Sequence, residues 1–172
     1  KKELQAKKEE FKKKIETARE EAKTKMETFR EQIKTEKDAA KAKIKELRIT
    51  GREKALERFD GAVKRISSLK EKISSKIAEL ETKGVDVISA KAFVATAETR
   101  LVDAKNRVAE INTLLATSIN ALTLENKTKL RTLTKETQTL VIEAQKALKD
   151  AVKSLKDAIK TKVSATETEN SD

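Results

Sequence analysis

An all-α fold, an antiparallel three-helix bundle with a long projecting N-terminal helix, is predicted by three observations. No proline occurs in the 172 residues, 40% of them are charged, and the apolar residues recur at steps of three, four and seven. Proline is the residue that interrupts helices, and apolar recurrence at those steps places one stripe on one helical face. Only 37% of the chain is hydrophobic and 2% aromatic, which suits helices sharing thin seams rather than a thick globular core.

The first element is the longest. From Leu4 the apolar positions run Phe11, Ile15, Ala18, Ala22, Met26, Phe29, Ile33, Ala40, Ile44 and Leu47. This narrow stripe predicts a single coiled-coil helix over residues 1–48, on the order of 70 Å long at 1.5 Å per residue. Charges of alternating sign flank it, with Glu3 and Lys7, Glu9 and Lys13, Glu10 and Lys14, and Glu21 and Lys25 in the favourable i to i+4 order.

Near Ile49 the stripe widens. Ile49, Leu56 and Val63 form one row beside Phe59, Ile66, Ile73 and Leu80, with Ala55, Ala62 and Leu69 flanking, so a bundle over residues 49–163 begins there. Gly51 and Gly61 lack neighbouring turn residues, and the first helix is expected to continue through them to about Lys83.

The turn that ends it is "ETKGVDVISAK". Gly84 can adopt the left-handed conformation that closes a helix, and Asp86 can cap the next by accepting amides near Ser89. The second bundle helix, Val87 to about Ala116, sets Val87, Val94, Leu101, Val108 and Leu115 beside Ala90, Ala97, Ala104 and Ile111, the small row permitting close helix approach. The uncharged stretch 112–124, with Ser118, Asn120, Thr123, Asn126 and Thr128 as caps, is the expected second connection. The third bundle helix runs from about Thr128 to Val163, with Ala144, Ala151 and Ala158 alternating with Val141, Leu148 and Leu155. Within it, "ALKDAVK" and "SLKDAIK" are consecutive heptads that agree at five of seven positions, which supports one continuous helix. Residues 164–172 form a polar tail expected to fray.

The segment "KISSKIAELETKGVDVISAKAFVATAETRLVDAKNRVAEI", followed by "EAQKALKDAVKSLKDAIK", resembles a group of uncharacterised bacterial helical proteins over residues 52–163. They share the charged helix ending in a Gly-hydrophobic-Asp turn, the alanine-rich return helix and the Lys-Asp/Glu-rich last helix. The resemblance implies an extracytoplasmic location, since those proteins are usually preceded by a signal sequence, and it brings no functional residues. The chain begins at Lys1 without methionine, which predicts a processed or trimmed product. In outline the bundle is also similar to spectrin repeats, without their aromatic core residues.

Composition excludes more than it assigns. With no histidine and no cysteine, a nucleophile and base pair would need a strongly shifted lysine or carboxylate in a pocket. Ser67, Ser68, Ser74 and Ser75 have lysines nearby but read as solvent-facing helix positions. Glu53, Glu57 and Asp60 share a face that could hold a hard cation, as do Glu16 with Glu20 and Glu27 with Glu31, yet Arg52, Lys54, Arg58 and Lys64 surround the best of them. No catalytic, cofactor or metal residue is therefore assigned, and an enzyme is the least favoured class.

The net charge of +11 is concentrated early, with 20 Lys/Arg against 14 Asp/Glu in residues 1–60. "KKEEFKKKIE" and "KAKIKELRITGREK" make the case for polyanion or nucleic-acid binding through the N-terminal helix, an alternative function. The interleaved carboxylates and scarce aromatics disfavour it. A membrane-surface or protective helical protein is the other alternative, since the charge rhythm resembles apolipoprotein and desiccation-protein helices, although true Ile, Leu and Val heptad rows favour a protein partner. No transmembrane segment is expected.

The function expected is structural: a coiled-coil subunit that self-assembles or docks a partner helix, with Phe11, Ile15, Met26, Phe29, Ile33, Ile44 and Leu47 as its interface. The reason is unfinished burial. A one-row stripe has no partner of matching length within the chain unless the bundle folds back over it, and each large apolar residue left exposed forfeits roughly 1.5 kcal/mol or more.

Overall fold

A computed structural model of the chain describes residues 2–117 and 123–169. Among these the structure is all-α, with four helices: α1 (Lys2–Lys34), α2 (Ala39–Thr82), α3 (Ile88–Thr117) and α4 (Leu124–Glu169). They form a helical bundle, as the apolar periodicity requires.

The first helix does not run uninterrupted to Lys83. The Thr35 and Glu36 amides donate to the carbonyls of Gln32 and Ile33 at 3.3 and 3.0 Å, closing the last turn of α1, and the Thr35 hydroxyl donates to Gln32 as well. Asp38 opens α2: its Oδ1 accepts the Lys41 amide at 3.1 Å and its carbonyl accepts that of Ala42 at 2.9 Å. A short side-chain acceptor at this position satisfies amides that a helix start otherwise leaves without partners. Across the break, Lys45 Nζ meets Glu36 Oε2 at 2.5 Å. The helix count is thus four rather than three, and the expected projecting N-terminal helix is replaced by one that folds back along α2.

The chain divides into two compact units. The first comprises Lys1–Gly61 and Lys105–Thr137, and therefore holds α1, the start of α2, the end of α3 and the start of α4. Ala22, Met26 and Phe29 of α1 pack with Ile49 of α2 and Ala116 of α3, and Ile49 is wholly buried. Ile111, Leu114 and Leu115 of α3 pack with Leu133 of α4. Leu56 joins both clusters. Two cross-helix ion pairs fix α1 antiparallel to α2: Arg19 with Asp60, and Arg30 with Glu53 at 2.6 Å.

The second unit, Ala62–Ala104 with Gln138–Asp172, is an up-down-up arrangement of the remaining parts of α2, α3 and α4. Val63, Ile66, Ile73, Ile77 and Leu80 supply the α2 side of its core. Ala90, Ala97 and Ala104 of α3 and Ala144 and Ala151 of α4 are all fully buried, two small-residue rows at heptad spacing in one cluster. Their size permits close helix approach.

The turn at Gly84 has the geometry its sequence predicts. Gly84 has φ of +69°. The Gly84 amide donates to Glu81 and the Val85 amide to Leu80, at 2.9 and 3.1 Å. This crossed pair is the Schellman closure, and it needs a residue without Cβ at Gly84. Asp86 Oδ1 accepts the Ile88 amide at 3.0 Å at the start of α3. Lys162 of α4 donates to the carbonyl of Lys83, in the turn that follows α2.

In the second connection, Thr123 caps α4 through a 3.1 Å bond from the Asn126 amide. Ser118 and Asn120, also expected as caps, lie outside the described residues. Helix α4 remains helical past Val163 as far as Glu169.

Candidate functional site

Unit 1 contains a groove of about 610 Å³ between α2, α3 and α4. One wall is the face of α2 that carries Leu47, Gly51, Ala55 and Phe59, positions four apart and therefore aligned on one side of the helix. Small residues at Gly51 and Ala55 leave its middle open. A methyl group added at Gly51 would meet no atom within 4 Å. Ile111 and Leu115 of α3 and Leu130 and Thr134 of α4 complete the lining.

Three cations line the same groove: Arg48 and Arg52 on α2 and Lys127 on α4. No carboxylate lines it among the described residues. Partial burial pulls the Arg52 guanidinium below its ordinary value, and the like charge of Arg48, one turn away, adds to that. Arg52 is half-buried on this wall, whereas Arg48 and Lys127 are exposed.

Of the seven residues expected to form an interface, the six whose side chains are described differ in exposure. Ile15, Met26 and Phe29 are buried in unit 1, and Ile33 is half-buried against the same cluster. Ile44 and Leu47 are 50% and 61% exposed. The Phe11 side chain lies outside those described. The seam therefore divides at the 35–38 turn. The described part of the α1 seam, from Ile15 to Ile33, faces inward, and the α2 part stays open, with Leu47 at the groove.

Three of the carboxylates weighed as cation ligands have other partners, Glu31 with Lys34 among them. Glu53 and Asp60 pair with Arg30 and Arg19, so this acidic face of α2 is what holds α1. Ser75 donates to the Glu71 carbonyl of its own helix at 3.1 Å. Among the described residues no group of three or more acidic, histidine or cysteine side chains is placed to hold a metal ion, and no helix is long and apolar enough to cross a membrane.

Arg48 and Arg52 enter the sequence reading only as part of basic or charge-neutralising surroundings, and Lys127, Leu130 and Thr134 are not site residues in it. Nothing in the heptad pattern marks them, because the groove exists only once α4 lies beside α3. The one local signal is "RITGREKAL", where Gly51 and Ala55 interrupt a face that is otherwise large and apolar.

No family model, curated protein or solved structure matches the chain.

Proposed function

We propose that this chain is a non-catalytic helical docking protein whose contact surface is the unit 1 groove and the Ile44 and Leu47 face of α2 that leads into it. The observation that carries the reading is the pairing of an open apolar groove with exposed Leu47 at its edge. A large apolar side chain left mostly in water beside a concave apolar wall is the arrangement that a bound partner completes. The lack of histidine and cysteine supports the non-catalytic part. Docking through a helical surface, expected from the sequence, is kept here, with its place moved from the α1 seam to α2.

The test uses the neutral dye Nile red, which reports apolar binding without regard to charge. The full chain should take up the dye, and Ala55→Trp, which fills the groove from its wall, should abolish uptake while circular dichroism keeps the helical signal. Equal uptake by both proteins would refute the site. Light scattering identifies self-assembly: a mass of two chains that falls to one in Leu47→Asp makes a second copy the partner.

A further inference from the structure

The seams between helices in this chain share one pattern, an apolar row with cations and carboxylates paired across its edge. In unit 1, Arg19 with Asp60 and Arg30 with Glu53 flank the contact of α1 with α2, and Arg107 with Glu136, at 2.9 Å, flanks that of α3 with α4. In unit 2, Lys70 with Glu98 and Lys91 with Glu81 join α2 to α3, and Arg100 with Glu143 joins α3 to α4. The unit 1 groove holds half of that pattern. It has the apolar row on α2, and beside it two exposed cations, Arg48 on α2 and Lys127 on α4. Neither enters an ion pair among the described residues, and no carboxylate among them lines the groove. Arg52 makes an interaction of its own and is not counted with these two.

We propose that the groove receives an acidic amphipathic helix of a partner protein, its apolar stripe against Gly51, Ala55 and Phe59 and its flanking carboxylates on Arg48 to one side and Lys127 to the other. This rests on the docking reading above and names the occupant. The α2 wall has the shape a helix needs: Gly51 and Ala55 are small, so a second helix can come close between Leu47 and Phe59. Leu47 to Phe59 spans about 18 Å at 1.5 Å per residue, which is roughly three turns of a bound helix. The two cations stand on different helices, so they call for carboxylates on both flanks of the stripe. A single anionic headgroup supplies only one such contact. A second copy of the chain is a poorer match, because its net charge of +11 would set cation against cation.

The experiment is a fluorescence anisotropy titration of the full chain with three labelled peptides of about 18 residues, long enough to cover the α2 wall. The first carries Leu at alternating steps of three and four, with Glu on both flanks. The second has Lys at each Glu position, and the third keeps Glu but has Ser at each Leu position. The first should bind roughly tenfold more tightly than the second, since two exposed ion pairs in one become two repulsions in the other. The third should not bind. Arg48→Glu with Lys127→Glu should invert the preference between the first two peptides. Should that variant melt early, Arg48→Gln with Lys127→Gln should make the two bind equally. Ala55→Trp should abolish binding of both.

Equal binding of the first two peptides by the parent chain overturns the proposal. So does binding of the third as tight as that of the first, which is general attraction to a basic chain. If Ala55→Trp abolishes Nile red uptake while the first peptide fails to displace the dye, the helix assignment fails and the docking reading stands. A particle of two chains that falls to one in Ala55→Trp, with no displacement by peptide, assigns the groove to a second copy instead. Where neither dye nor peptide binds, both readings fail.

Discussion

Arg30 of α1 donates through Nη2 to Oε2 of Glu53 on α2 at 2.6 Å, and this pair sets the direction in which α1 lies on α2 in unit 1. Arg19 with Asp60 lies farther from the 35–38 turn and Lys45 with Glu36 nearer to it, all three in antiparallel order. Apolar contacts alone would hold α1 with little preference for register, because its seam is a simple three-four repeat. The charges select one alignment.

Reversing one partner should therefore cost more than removing it. Both Arg30 and Glu53 are partly exposed, so the pair is worth only about 0.2 to 1 kcal/mol after screening. Arg30→Glu should destabilise the chain toward the upper end of that range in urea denaturation at low salt, and adding Glu53→Arg should restore most of the loss. A swapped double variant no more stable than either single one would mean that the pair does not set the register.

The alanine rows of unit 2 make an opposite prediction, about size rather than charge. Ala97 and Ala104 on α3 and Ala144 and Ala151 on α4 are fully buried in one cluster. Ala97→Leu or Ala104→Leu should force the helices apart and cost roughly 1 to 3 kcal/mol. Ala92→Leu, at an exposed position of the same helix, should change stability little. Thermal melting of the three variants decides it, and equal effects would mean that α3 and α4 do not meet along these rows.

Sequence periodicity made those rows legible because the step of seven appears on both helices. It also placed the Gly84 turn, since glycine, a following hydrophobic residue and Asp86 together state a helix end and a helix start. It did not place the turn at 35–38. The signal there is a gap: the seam skips from Ile33 to Ala40, with Glu36 and Lys37 where an apolar residue would continue it, and Asp38 follows as a cap. A skip of one turn is common in continuous coiled coils, so only the fold-back of α1 gives the gap its meaning. The groove was illegible for a related reason. Its walls come from three helices, and no periodicity within one helix reports how far apart two others stand.

Acid should weaken the end of α2. Glu79 takes Lys76 on one carboxylate oxygen and Lys83 on the other, both at 2.7 Å. The Lys76 hydrogen bond first, then that of Lys83, hold its carboxyl down to about 2 from an ordinary 4.5. Between those values the unfolded chain binds a proton that the folded chain does not, so stability rises with pH across the window. The contribution is whole above about 4.5 and is lost as pH falls through about 2. Glu79 is fully exposed, so the effect is a small slope. Melting temperatures across that window should fall with acid less steeply in Glu79→Gln than in the parent chain, and parallel slopes would remove Glu79 from the account.

The sharpest test of the fold concerns Phe29. Were α1 an outward-facing coiled-coil arm, Phe29→Asp would separate copies of the chain and leave each one folded. With Phe29 buried beside Met26 and Ile49, the same substitution empties a packed site and places a carboxylate there. Loss of a buried aromatic ring alone costs about 3 to 5 kcal/mol, and an unpaired charge adds to it. Phe29→Asp should therefore release α1 from α2, speed amide exchange across 15–33 and expose Ile49, while the alanine-row cluster of unit 2 keeps its protection. Leu47→Asp, at an exposed position, should leave exchange in α1 unchanged. If Phe29→Asp alters only the mass of the particle in light scattering and leaves exchange in α1 as it was, α1 does not pack inward, and the fold-back along α2 is wrong.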